Sequence, residues 1–445
     1  MKFNLLLTAA QNVSTELPLW SMIPFAVMLL GIALFPFIIG HWWEHNRNKF
    51  IVSLLLGIPV AIYLCCSGLS HEFMHQMLFD YIPFIMLLGA LFVVTGGLHQ
   101  TGDVAAKPWV NTLILSVGFL VASFIGTTGA AMLLIRSLLE INSQRKHKVH
   151  TVLFFIAIVA NCGGVLSPLG DPPLFLLFLK GVDFTWFLEL FPEWLFTGAM
   201  LLVLYFLTDT YFYRKEPAAN LHADNTEITP IRIAGKINFL YLLLIILTVA
   251  FVNENYIDGM GGEHAPIYMK YLREFVLLAI ILLSWFTTPK QVRKGNGYTW
   301  TPIIEVAVLF IGIFATMTPA LLYLKAHAAD LGFSETWQFF YGTGALSSVL
   351  DNAPTALAFH SMAAGLADPA ATDLIAGVSP ALLRAIALGA VFFGAMTYIG
   401  NGPNFMIKSI AEEHGIKMPS FFGYIFKFSL LVLLPIYILT QLIFL

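Results

Sequence analysis

Two acidic residues stand in apolar surroundings, where a charge is costly. Asp171 lies within Ser167-Pro168-Leu169-Gly170-Asp171-Pro172-Pro173, and Asp351 opens Asp351-Asn352-Ala353-Pro354-Thr355. A carboxylate in hydrocarbon costs about 2.5–3.5 kcal/mol even on the lenient insertion scale, so it usually faces a cavity and handles a cation or proton. Such an acid holds H+ or Na+ but seldom both, and that competition is the chemistry of exchange. Asp351 is the first choice for the role, because Asn352 and the turn beside it supply further oxygens. Asp171, between Gly170 and Pro172, also suits the cap of a helix that starts there. Thr127, Thr128, Ser167, Thr355, Thr397, Asn352, Asn401 and Asn404 add neutral oxygens fit for a partly dehydrated sodium ion, and capping at a helix break is their plainer role. Gly170 and Gly400 let the chain turn beside them.

Other polar residues read more blandly. Arg136, in Met132-Leu133-Leu134-Ile135-Arg136, is a candidate anion or carboxylate contact. The basic loop that begins soon after it favours a side chain that snorkels to the interface. His71-Glu72-Phe73-Met74-His75 satisfies the pattern of a zinc-binding helix with a Glu base. It falls in a short loop between apolar runs, so a zinc-inert loop is expected and an intramembrane metalloprotease is the remote alternative. No metal beyond transported sodium is expected, and no cofactor. Cys65, Cys66 and Cys162 lie in apolar stretches without metal spacing and read as packing residues. Trp42, Trp43 and Trp194 near the ends of apolar runs fit an interfacial belt.

The elements that position these residues must be membrane helices. Of 445 residues, 58% are hydrophobic and only 11% charged, and mean hydropathy is +0.81. A soluble surface needs about 25% charged residues, so the solvent is largely lipid. A net charge of −3 offers no field for nucleic acid. The opening Met1-Lys2-Phe3-Asn4-Leu5-Leu6-Leu7 is too short an apolar run for a signal peptide and fits the membrane interface. Runs of about 20 apolar residues, enough to cross roughly 30 Å of hydrocarbon, fall near 20–40, 51–68, 79–98, 186–212, 237–253, 274–288, 302–325 and 421–444. Regions 151–180 and 382–410 are broken centrally by Gly, Pro and Asp or Asn. Regions 109–139 and 335–365 carry polar residues at their midpoints, as re-entrant hairpins do.

Charge decides between spanning and re-entrant readings, since Lys and Arg stay cytoplasmic. If both hairpins turn back, the loops with Arg47/Lys49, Arg145/Lys146/Lys148, Arg214/Lys215, Arg232/Lys236 and Lys290/Arg293/Lys294 share one side. Only Lys270 and Arg273 dissent. The expected fold is therefore an all-α polytopic membrane protein with about ten transmembrane helices, two re-entrant hairpins and both termini outside. Its expected units are N-terminal scaffold spans 1–78, a first repeat 79–213, a cytoplasmic linker with two connecting spans 214–301, and a second repeat 302–445.

The two units of hairpin plus broken helix superimpose in sequence. Ser123-Phe124-Ile125-Gly126-Thr127-Thr128-Gly129 matches Ser348-Val349-Leu350-Asp351-Asn352-Ala353-Pro354, and Ser167-Pro168-Leu169-Gly170-Asp171 matches Thr397-Tyr398-Ile399-Gly400-Asn401. With the first hairpin entering from the cytoplasm and the second from outside, this is an inverted-topology repeat with its site at the midplane. These motifs, with Asn161-Cys162-Gly163-Gly164 and Gly402-Pro403-Asn404, resemble the ion-transporter superfamily. Within it the chain is similar to the branch of NhaD-type sodium/proton antiporters and citrate transporters, related to arsenite and dicarboxylate carriers. The first hairpin departs from the Ser-Asn-Thr tip of the dicarboxylate carriers, reading Gly126-Thr127-Thr128. The resemblance implies alternating access of elevator type, a homodimer, and the inner membrane of a bacterium. It implies partners limited to the lipid bilayer and a small ion or carboxylate, with Na+ and H+ as transported or coupling ions. With no unambiguous cation at the midplane to neutralise citrate, the residues lean toward sodium/proton exchange. A sodium- or proton-coupled citrate or dicarboxylate carrier is the runner-up.

Overall fold

The computed structural model describes residues 17–226, 228–262, 265–368 and 370–445; the opening Met1–Leu7 segment lies outside them. Three long helices begin the chain: α1 (Leu19–Ile38), α2 (Asn46–Cys66) and α3 (Ser70–Thr95). Strand β1 (His99–Asp103) leads into the first hairpin, α4 (Pro108–Ile125) and α5 (Thr127–Ile141). The first broken helix is α6 (Val149–Ile158) and α7 (Pro172–Leu179), and α8 (Phe184–Tyr213) returns. Helix α9 (Ala218–Thr226) and strand β2 (Thr229–Ala234) form the linker, followed by α10 (Ile237–Phe251), α11 (Leu272–Thr287) and the short α12 (Lys290–Gly295). Then come α13 (Thr301–Ala326), the second hairpin α14 (Thr336–Val349) and α15 (Asn352–Leu366), the second broken helix α16 (Pro380–Phe393) and α17 (Gly402–Glu413), and α18 (Phe421–Phe444).

Among the described residues, eight helices are long and apolar enough to cross a membrane, and α4 is one of them. It nevertheless turns back. Asn111 near its start and Asn142 just past the end of α5 exchange amide hydrogen bonds of 2.9 and 3.0 Å, which is impossible unless both arms end at the same level. The bend is Gly126, whose φ of +80° only glycine adopts cheaply. In the second hairpin Phe333 and Phe339 meet Phe359 edge-on, with centroids 5.9 and 6.1 Å apart, closing its open end.

The two ends of the bundle differ in charge. One end holds Lys49–Glu305 (2.6 Å), Arg145–Asp209 (2.7 Å) and Arg293 on the Val93 carbonyl (2.7 Å). The other holds Lys180–Asp80 (2.6 Å), Tyr271 on the Leu78 carbonyl (2.7 Å) and Arg384–Glu193 (2.5 Å). Lys270 and Arg273 lie at this second end, beside Lys180, Lys325 and Arg384, while the remaining basic loops gather at the first. That asymmetry is the one expected of a chain whose first end faces the cytoplasm.

The all-α expectation needs one addition. β1 pairs with β2 antiparallel, from His99 opposite Ala234 to Asp103 opposite Thr229, and both Asp224 carboxylate oxygens on α9 accept the Ala106 N–H at 3.0 Å. The linker is thereby tied over the open end of the first hairpin. Burial holds the Asp224 carboxyl above the ordinary range, and the Ala106 N–H offsets this only in part.

Packing follows membrane rules. α2 and α13 approach through small residues, and a methyl on Gly312 would lie 2.6 Å from Ser53 Oγ. Residues 76–81 and 425–433 widen into π turns, each just before a proline (Pro83, Pro435) that cannot donate its backbone bond. Leu55, Phe286 and Leu431 face outward, as lipid contact requires. Trp42 is exposed, but Trp43 and Trp194 are buried, which corrects the belt reading for both. Trp194 stacks on Phe119 at 4.3 Å and donates to the Gly163 carbonyl at 3.3 Å, joining α8 to the first hairpin and broken helix.

Candidate functional site

The hairpins and broken helices cross at mid-bundle, and each crossing is held the same way. In the first repeat Ser123 Oγ on α4 donates to the Gly163 carbonyl (2.5 Å), Ser167 Oγ donates to the Ser123 carbonyl, and Leu169 N–H donates to Ser167 Oγ (3.1 Å). In the second, Ser348 Oγ donates to the Phe393 carbonyl (3.2 Å), Thr397 Oγ1 donates to the Ser348 carbonyl (2.5 Å), and Ile399 N–H donates to Thr397 Oγ1 (3.1 Å). These are the residues that superimpose in sequence, so the repeat extends to single hydrogen bonds. Gly170 and Gly400 sit where the strands of the crossing touch. A methyl on Gly170 would lie 2.0 Å from the Gly164 carbonyl oxygen, and one on Gly400 would lie 2.7 Å from that of Gly394.

The chain is extended just before each new half-helix for local reasons. Ser167 and Asp171 each precede a proline, which disfavours the helical region, and both are extended. Pro172 and Pro403 then start α7 and α17 in the turn where a missing N–H is harmless. As a result the N-termini of α5, α7, α15 and α17 all converge. Thr127 N–H donates to the Gly170 carbonyl at 2.7 Å, joining α5 to the start of α7.

At the point of convergence lies the Asp171 carboxylate, which is buried. Thr127 Oγ1 donates to its Oδ1 (2.6 Å), Asn401 Nδ2 to the same oxygen (3.0 Å), and Asn352 Nδ2 to its Oδ2 (2.5 Å). All three partners are neutral, and two come from the opposite repeat. Asn401 also donates to Asn161 Oδ1 (3.1 Å), and Asn161 Nδ2 donates to Asn404 Oδ1 (2.8 Å). Asn404 in turn donates to the carbonyls of Gly394 and Thr397 at 2.8 and 2.9 Å. Thr127, Asp171, Asn352, Asn401 and Asn404 are thus one connected network.

The capping bond expected of Asp171 is made by Asp351 instead. Asp351 caps α15, its Oδ1 accepting the Ala353 N–H at 3.0 Å. Asp171 makes no capping bond to α7. The reason is rotameric: a carboxylate before a helix either folds back on its own first turn or reaches across, and Asn352 and Asn401 draw Asp171 across. Thr355 Oγ1 donates to the Asp351 carbonyl (2.8 Å) within the same turn, and Thr128 lies half-buried in the first turn of α5. Ser167, Thr397, Gly170 and Gly400 build the crossings rather than touching the carboxylate.

Arg136 stays away from the site and donates to the Asn296 carbonyl (3.1 Å) at the basic end. The segment expected to be a loop is instead the start of α3, where His71 and His75 are exposed with ring centroids 6.4 Å apart. Among the described residues no group of three His, Cys, Asp or Glu could hold a metal ion. Asn161 and Ser123 also belong to the crossings, and their sequence signal is a polar residue at a helix break opposite another. A second buried network has no such signal. Asp209 on α8 takes Arg145 Nη2 (2.7 Å), His150 Nε2 (2.8 Å) and Asn111 Nδ2 (3.2 Å), which fastens the open end of the first hairpin.

Comparison with known families finds a match over residues 14–445 to the family described as "Putative citrate transport". No curated protein matches the chain.

Proposed function

The chain belongs to the family described as "Putative citrate transport", and from that premise we propose that this integral membrane protein is a cation-coupled carrier of citrate or a related carboxylate. The observation that carries the reading is the convergence of the α5, α7, α15 and α17 N-termini on one carboxylate. Each helix N-terminus presents free N–H groups and about half a positive charge. Together they supply roughly two units, set against Asp171 and against Asp351, which caps α15. The convergence is therefore near balance, and a cation bound at Asp171 tips it toward a carboxylate ligand.

Asp171 is the coupling group in this reading. A proton or sodium ion arriving there removes its charge, and the half-helix N-termini then turn toward the substrate. Rotation of the Asn352 and Asn401 amides exchanges donor for acceptor, giving carboxylate, hydroxyl and amide oxygens around one centre, a set suited to a hard cation. Spans α1–α3, α10, α11 and α13 serve as scaffold, and the hairpins and broken helices as the moving unit of an elevator. The working form is a homodimer in the inner membrane of a bacterium.

Sodium/proton exchange at Asp171 is the second reading, favoured by a buried acid whose three partners are all neutral. Proteoliposomes separate the two. Sodium- or proton-driven uptake of labelled citrate is expected, and sodium-driven internal pH change without citrate uptake would replace the carrier with an antiporter.

A further inference from the structure

A cavity of about 260 Å³ lies at the basic end, lined by Tyr398, Phe405, Lys408, Glu412 and residues 418–421, with Phe37 of α1 on its rim. It belongs to α17, the helix whose start carries Asn401 and Asn404. Positions 401, 404, 405, 408 and 412 recur at helical spacing on one face, so the face that begins at the Asp171 network ends in this cavity. Lys408 is seven residues from Asn401, about 10 Å along the axis. Its ammonium is held 5.6 Å from the Tyr398 ring centroid and 5.8 Å from that of Phe405, and 2.8 Å from Glu412 Oε2. The Lys408 side chain is 20% exposed and that of Glu412 42%.

We propose that this cavity is the cytoplasmic docking site for a carboxylate of the transported anion, with Lys408 as the residue that receives it. The inference rests on the carboxylate-carrier reading given above. The aromatic faces place and partly desolvate the ammonium, which strengthens its attraction for an anion. Glu412 holds it only loosely, because a half-exposed pair four residues apart contributes a few tenths of a kcal/mol. An incoming carboxylate therefore displaces Glu412 at little cost. From Lys408 the anion has one helix face to follow to the convergent N-termini. The position matching Lys408 is Phe178 on α7, at the opposite end of the bundle, where Arg273 lies over the Phe175 and Phe178 rings and pairs with Glu274 at 2.7 Å. That pair is nearly buried, so the loosely held cation is the one at Lys408, a specificity device for the cytoplasmic face.

Labelled-citrate transport in inside-out and right-side-out membrane vesicles tests it. In inside-out vesicles Lys408→Gln is expected to raise the KM for citrate by ~10-fold or more, the effect of losing one charge-assisted contact. In right-side-out vesicles its KM stays near wild type. Lys408→Arg keeps the charge and keeps most of the affinity, and Glu412→Gln, which removes the competing carboxylate, lowers the inside-out KM. An unchanged inside-out KM in Lys408→Gln, or equal shifts on both faces, overturns the docking site while wild-type citrate transport keeps the carrier reading intact. Wild-type vesicles that carry no citrate in either orientation overturn both.

Discussion

Replacing Asp171 with Asn removes one charge from the centre of the network and almost nothing else. Oδ1 of the carboxylate accepts Thr127 and Asn401, and Oδ2 accepts Asn352. An amide oxygen in the Oδ1 place keeps the first two bonds. Its NH2 then faces Asn352, whose own amide can turn to present oxygen. Each bond thereby falls from a charge-assisted to a neutral one, a loss of about 0.5–1.5 kcal/mol apiece, set against the relieved cost of burying a charge. Asp171→Asn should accordingly fold and purify as a single species, with its melting temperature lowered by only a few degrees. Coupling is a different matter. A cation deprived of the carboxylate at the centre of a buried network loses about 3 kcal/mol or more, so sodium- or proton-driven citrate accumulation should fall by ~100-fold. Uptake of labelled citrate into proteoliposomes, at fixed citrate and graded sodium and pH, measures this. Wild-type accumulation with wild-type ion dependence in Asp171→Asn would refute the reasoning. The matching change at the cap, Asp351→Asn, should leave uptake near normal, since Asn caps as well as Asp.

Three further outcomes are expected. Gly170→Ala should abolish folded protein, because its methyl would fall 2.0 Å from a backbone oxygen, whereas Gly402→Ala, with nothing within 4 Å, should express normally; size-exclusion profiles decide. Asp209→Leu leaves the buried Arg145 guanidinium with only Glu216, 3.9 Å away, and should cost about 3 kcal/mol, read as a melting temperature drop much larger than that of Asp171→Asn. Cysteines placed at Ser143 and Ala370, in a chain lacking Cys65, Cys66 and Cys162, should react from opposite sides of sealed cells, and labelling of both from outside would invert one hairpin.

What the sequence disclosed depended on whether the physics was local. Spans, breaks and hairpins are local in apolar length, Gly126, Pro172 and Pro403, and the basic loops give the direction to be expected of them. The division of labour between Asp171 and Asp351 is not local, because it turns on Asn352 and Asn401 lying across the bundle. Asp209 and Arg145 are likewise 64 residues apart, with no spacing to announce a pair. The β1–β2 ribbon had no signal at all in His99-Gln100-Thr101-Gly102-Asp103, which lacks any alternation of apolar residues.

The paired Ser123/Ser167 and Ser348/Thr397 bonds have a mechanical consequence. A hairpin that swung open alone, as a flap does, would shear these contacts in a region without water to replace them, at about 1–3 kcal/mol for each buried group left unmet. The tip of each hairpin is stiffly riveted to its broken helix. Compliance must then reside at the seam between that riveted block and its surroundings, where the partly exposed Lys180 at the end of α7 meets Asp80 on α3. The block slides whole, or it does not move.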